Sequence, residues 1–160
     1  MEHRIIVQKY GGSSVSSIQG IERVAERILV TQQQGYAVVA VVSAMGNTTN
    51  ELLTLAKQVS ETPPKRELDL LVSVGERVSM SLLAMALEKK GARAKSFTGS
   101  QSGIITDSIH GNSKIVEVKP NRIQQALQDG YIAIVAGFQG MSVQREVTTL
   151  GRGGSDTTAV

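Results

Sequence analysis

The sequence predicts an α/β fold: a mostly parallel sheet with helices on both faces, incomplete at its C-terminus. Three observations carry that reading. Short apolar runs alternate with segments of helical periodicity, and strands joined through helices pair in parallel by right-handed crossovers. Two of the runs, Ala37–Val42 and Tyr131–Ala136, are apolar throughout, as strands covered on both faces are. The chain stops at Val160, inside a Thr157–Val160 stretch that reads as the first turn of a further helix.

Taken in order, Arg4–Gln8 reads as a buried strand and Lys9–Ser17 as a Gly/Ser-rich loop. Ile18, Ile21, Val24, Ala25, Ile28 and Leu29 recur at helical spacing, with Gly35 as the stop. After the Ala37–Val42 strand, Thr48 and Glu51 have capping-box spacing. Leu52, Leu55, Ala56 and Val59 then form one helical face up to Pro63-Pro64. Leu68, Leu71 and Val72 mark another helix, and Val78, Leu82, Met85 and Ala86 the next, closed by Lys89-Lys90-Gly91. Ala94–Phe97, Gly103–Ile105 and Lys114–Val118 read as strands, and Pro120–Asp129 as a short helix ended by Gly130. Gly137–Gly140 follows the last strand as a loop. In parallel sheets ligands bind beyond the carboxyl ends of the strands. The loops Lys9–Ser14, Ser43–Asn50 and Gly137–Gly140 should therefore gather on one rim.

Composition removes several classes of function. The net charge of +3 is mild, and no basic run is interleaved with aromatics, so no nucleic-acid partner is expected. Without cysteine there is no disulfide framework, no thiolate nucleophile and no cysteine-based zinc site. Met1–Arg4 does not open a signal segment, and no uninterrupted apolar run approaches the ~18 residues of a membrane span. No membrane partner and a cytoplasmic location are the resulting expectations. His3 reads as terminal and His110, beside Gly111-Asn112, as a turn residue, and no metal ligand is assigned.

Two Gly-rich loops carry the chemistry. In Lys9-Tyr10-Gly11-Gly12-Ser13-Ser14-Val15 a Gly pair at a strand-to-helix junction lets the backbone approach a ligand and turn amides toward it. The neighbouring Lys9 offers a compact charge for phosphoryl oxygens. No Gly-x4-Gly-Lys-Ser/Thr motif is present. In Gly151-Arg152-Gly153-Gly154-Ser155-Asp156, Arg152 is suited to hold a carboxylate in two-pronged fashion, and Asp156 to orient a lysine. Each loop alone is explained equally well as an ordinary surface turn.

Together they resemble the paired signatures of the aspartate kinase branch of the amino-acid kinase family. Val42–Asn50, Val74-Gly75-Glu76-Arg77, Ser96–Gln101 and Val135–Gly140 resemble further segments of that family, in order, so the likeness covers essentially the whole chain. The resemblance implies an amino-acid kinase (carbamate kinase-like) fold. Residues 1–160 would be the N-terminal portion of its catalytic domain, with the nucleotide-binding second half and ACT regulatory domains lying beyond. It implies transfer of the γ-phosphoryl group of ATP, with Mg²⁺, to the β-carboxylate of L-aspartate. The product is 4-phospho-L-aspartate, at the first step toward lysine, threonine, methionine and diaminopimelate. Lys9 and Asp156 are the implied catalytic pair, and Lys9, Gly11 and Gly12 contact the ATP phosphates. Ser43, Thr49, Glu76, Arg152 and Ser155 bind the amino acid. A homo- or hetero-oligomer is expected of the intact enzyme, and little turnover of these residues alone. Two rival readings are another carboxylate or carbamate kinase of the same superfamily and a non-enzymatic interaction module.

Overall fold

The computed structural model describes residues 4–160, so His3 lies outside the described residues. Four parallel strands form a first sheet in the order β1-β2-β6-β3: β1 (Ile5–Tyr10), β2 (Ala37–Val42), β6 (Ile132–Ala136) and β3 (Ala94–Phe97). Alternation along β2 and β6 sends side chains to both sides. Val38, Ala40, Val42, Ile132, Ile134 and Ala136 join one core cluster, and Val39, Val41, Ala133 and Val135 a second. Helices α1 (Ile18–Gln33) and α4 (Val74–Lys89) close the first face. α5 (Asn121–Gln128) and α6 (Gly154–Ala159) close the second. A parallel sheet covered on both sides, the expected class, is what these apolar strands require.

The second sheet is a departure. β4 (Ile104–Thr106), β5 (Ile115–Val118), β7 (Gln139–Ser142) and β8 (Val147–Thr149) pair in the order β5-β4-β7-β8. The β4–β5 and β7–β8 pairs are antiparallel. The loop expected at Gly137–Gly140 thus runs into a strand, because Gln139–Ser142 pairs on both edges, with β4 and with β8. Its polar Gln139 is buried and donates through Nε2 to the Ser73 carbonyl at 2.9 Å, a partner that local pattern does not reveal.

The remaining helices are α2 (Thr48–Val59) and α3 (Lys65–Val72). The expected capping box at Thr48 and Glu51 is absent. Asn47 is the N-cap of α2 without a side-chain cap bond, and its Oδ1 accepts instead from Asn50 Nδ2 at 2.7 Å. The expected apolar face of α4 is also rotated. Val78 and Met85 are exposed, and Met80, Leu83 and Leu87 are buried with Gly75, Glu76 and Ser79. This helix is apolar on more than one side, so the small residues that must meet the Ser43 loop decide which face turns inward. Glu76 and Arg77, adjacent and opposite in charge, form no ion pair among the described residues. Lys65–Lys89, which spans α3 and α4, is long and apolar enough to cross a membrane by length and composition, although charged residues interrupt its apolar runs. Within it, α4 packs on α1, β3 and β6 and buries Glu76, while α3 packs on β8 and buries Asp69.

Candidate functional site

The loops after β1, β2 and β6 meet on one rim, as expected. The Gly46 amide donates to the Gly12 carbonyl at 3.0 Å, and the Gly137 amide to the Val42 carbonyl at 2.9 Å. Only glycine fits at 12, where a Cβ would lie 2.9 Å from the Ala44 carbonyl oxygen. The amides of Gly11, Gly12 and Ser13 donate to no protein acceptor among the described residues. Such free amides at a strand-to-helix turn are the backbone donors that bind anions.

Lys9 is the fifth residue of β1 rather than a loop residue, and its register partner is Val41. Val41 belongs to the cluster on the α5/α6 side, so Lys9 leaves the sheet on the face where α6 begins. There its Nζ lies 2.9 Å from Asp156 Oδ1. A Cβ on Gly11 would sit 3.5 Å from the same Nζ, so the ammonium group folds back over the Gly pair. Both partners of this ion pair are substantially exposed, and its worth to stability is small.

A cavity of about 1070 Å³ opens beside this pair. Lys9, Gly12, Ser43, Thr49, Glu76, Arg152, Ser155 and Asp156 all line it. Gly11 is the one expected site residue outside the lining, directly behind Lys9. Ser43 is held through its carbonyl, which accepts from Ser79 Oγ at 2.6 Å. Ser155 packs so close to Gly137 that a Cβ there would lie 2.6 Å from its Oγ. Arg152 hangs from a loop of two left-handed glycines, Gly151 at φ 75° and Gly153 at φ 72°, and has no side-chain partner among the described residues.

Glu76 dominates the electrostatics. It is 3% exposed. Its Oε1 accepts from the Ala44 amide at 3.3 Å, and its Oε2 has no partner. Burial raises its pKa to about 7, partly opposed by the backbone amides of Glu76 and Ala44. A buried carboxylate with one empty oxygen facing a cavity favours a cationic hydrogen-bond donor.

Asp69, His110, Phe138 and Thr149, to which the sequence assigned no place in the site, also line the cavity. Phe138 holds a left-handed φ of 68°, which is uncommon for a bulky residue and a feature of ligand sites. His110 lies in a turn, as expected, and its Nδ1 is 2.7 Å from Asp69 Oδ2. A signal for Asp69 existed: it falls three residues before Val72 and seven before Glu76, on the inner face of a nearly continuous helix.

The model of the amino acid kinase family matches residues 4–160. The chain belongs to the amino acid kinase family. Among relatives, it is 61% identical over 157 residues to the aspartokinase of Mycobacterium tuberculosis, covering 98% of this chain and 37% of that protein. The chain thus spans about 37% of the length of the curated relative it matches. A crystal structure of aspartate kinase from Synechocystis is 44% identical at a TM-score of 0.83, covering 97% of this chain and 25% of that one. E. coli aspartokinase III, in complex with aspartate and ADP, matches at a TM-score of 0.83 and 23% identity, covering 98% of this chain and 45% of that one. This last likeness shows the amino acid kinase fold alone.

Proposed function

We propose that this chain supplies the amino-acid and phosphate side of the active site of an aspartate kinase. The observation that carries the reading is the meeting, around one cavity, of the Lys9–Asp156 pair, the unpartnered Glu76 oxygen and the free Arg152 guanidinium. Aspartate has one ammonium group and two carboxylates. Glu76 takes the ammonium group, Arg152 the α-carboxylate, and the hydroxyls of Ser43, Thr49 and Ser155 orient the molecule. A β-carboxylate oxygen then attacks the γ-phosphorus of ATP. A new O–P bond forms as the bond to the β,γ-bridging oxygen breaks, and ADP leaves. The attacking carboxylate is already ionised at neutral pH, so no general base is needed. Lys9, held by Asp156, and the amides of Gly11 and Gly12 stabilise charge on the transferred group. No cluster of three or more acidic or histidine side chains among the described residues is arranged to hold a metal. Mg²⁺ would therefore arrive on the nucleotide phosphates, supplying charge there.

The identities to aspartokinases from M. tuberculosis and Synechocystis support the substrate and the kinase chemistry. The test uses the protein at the full length its gene encodes. It is incubated with ATP, Mg²⁺ and hydroxylamine plus aspartate, glutamate or acetylglutamate. Hydroxamate is expected with aspartate, and equal or better yield with acetylglutamate transfers the assignment to another carboxylate kinase.

A further inference from the structure

Arg152 has no partner of its own, so its position depends on the backbone that carries it. That backbone is tied from one side by a single buried carboxylate. Asp69, on α3 and 1% exposed, accepts from Thr149 Oγ1 at 2.6 Å through Oδ1. Its two oxygens also accept from the Gly111 amide at 3.1 Å, and Oδ2 lies 2.7 Å from His110 Nδ1. Thr149 ends β8 and leads into Gly151-Arg152. The turn held by His110 and Gly111 presses on the same loop, because a Cβ on Gly151 would lie 2.6 Å from Asn112 Oδ1. The Ser113 amide donates to the Thr149 carbonyl at 2.8 Å and closes the circuit. A carboxylate buried at such cost contributes little that an apolar residue would not to stability alone. It can set a geometry that an apolar residue cannot.

We propose that Asp69 is a positioning residue for Arg152. Through Thr149 on one side and the His110–Gly111 turn on the other, it fixes the loop from which Arg152 reaches the substrate carboxylate. This rests on the aspartate kinase reading only for the identity of that carboxylate. Displacement of about 1 Å at such a contact costs up to roughly a hundred-fold in rate.

The test cuts one tie. Thr149→Val in the full-length protein removes the hydroxyl and keeps the shape. Hydrogen exchange of the substrate-free protein reads the loop directly, through the Leu150 amide bonded to the Phe138 carbonyl and the Gly154 amide bonded to the Gly151 carbonyl. Faster exchange at both is expected. So is a rise of about ten-fold in the KM for aspartate, with the KM for ATP within about two-fold. In an Arg152→Ala background Thr149→Val should add no further effect on that KM, and Thr149→Ser should restore it. Unchanged exchange, an equal rise in both KM values, or a full multiplicative effect without Arg152 overturns the proposal. If Thr149→Val does not fold, Asp69→Asn is read in the same way with the same outcomes. If the wild-type protein forms no aspartyl hydroxamate, the substrate reading fails. The exchange result, which needs no substrate, still decides whether Asp69 holds the loop that carries Arg152.

Discussion

Lys9 and Glu76 show how much a single side chain can be asked to do at this rim. Lys9 sits over Gly11 with one defined partner, Asp156 at 2.9 Å, so its ammonium group is placed before substrate arrives. Loss of one such preorganised contact slows a reaction by roughly two to three orders of magnitude. Lys9→Ala in the full-length protein should lower kcat by that amount, and a kcat within a few-fold of wild type would remove Lys9 from the mechanism. Glu76 makes a prediction in pH. Its pKa rises from 4.5 to about 7, chiefly by burial. Between those values the folded state keeps a proton that the unfolded state gives up. Stability therefore falls as pH rises across this window and stays low above it. At 1.36 kcal/mol per unit the loss is on the order of 3 kcal/mol. Glu76→Gln cannot ionise, so its thermal midpoint should exceed that of wild type at pH 8 and approach it near pH 4.5. A constant offset between the two proteins from pH 4.5 to 8 would rule out this account.

At the scale of elements, the start of α4 is a tight joint in the site. A Cβ on Gly75 would lie 2.6 Å from the Ala44 Cβ and 3.6 Å from Thr48 Cγ2. The helix that delivers Glu76 thus rests directly on the loop that delivers Ser43 and Thr49. Overpacking of this kind costs about 1–3 kcal/mol. Gly75→Ala should lose that much in denaturant unfolding, and Ala44→Gly added to it should recover most of the loss. The same joint explains what was legible in the sequence. The central strands β2 and β6 could be read because their runs are apolar throughout, and the rim loops because glycine stands in each of them, at Gly11-Gly12, Gly46 and Gly137. The inward face of α4 could not, since Val78 and Met85 are as apolar as Leu83 and Leu87, and only contact with Ala44 separates them. Gln139 and Asp69 were hidden for a related reason. A buried polar residue resembles a surface one until its partners, the Ser73 carbonyl, Thr149 and His110, are brought to it from distant segments.

For the molecule as a whole, both faces of the central strands β2 and β6 are covered, but the edge strand β1 is left open. β1 pairs with β2 alone, on one side. Ile5 and Val7 on that strand are 56% and 48% exposed, on the same face as Lys9, since side chains two apart point the same way. An open edge strand with exposed apolar side chains is a template for pairing with another chain. A protein made of these 160 residues should therefore associate with itself as concentration rises. A charge at Val7 should suppress this, because natural edge strands are blunted by charged side chains, lysine above all. Sedimentation velocity over a hundred-fold concentration range tests both points. Wild type should shift to larger species while Val7→Lys stays monomeric, with unchanged helix and strand content by circular dichroism. A monomer at every concentration for wild type would mean that the edge is already protected by its twist and by α6, whose first turn packs against β1.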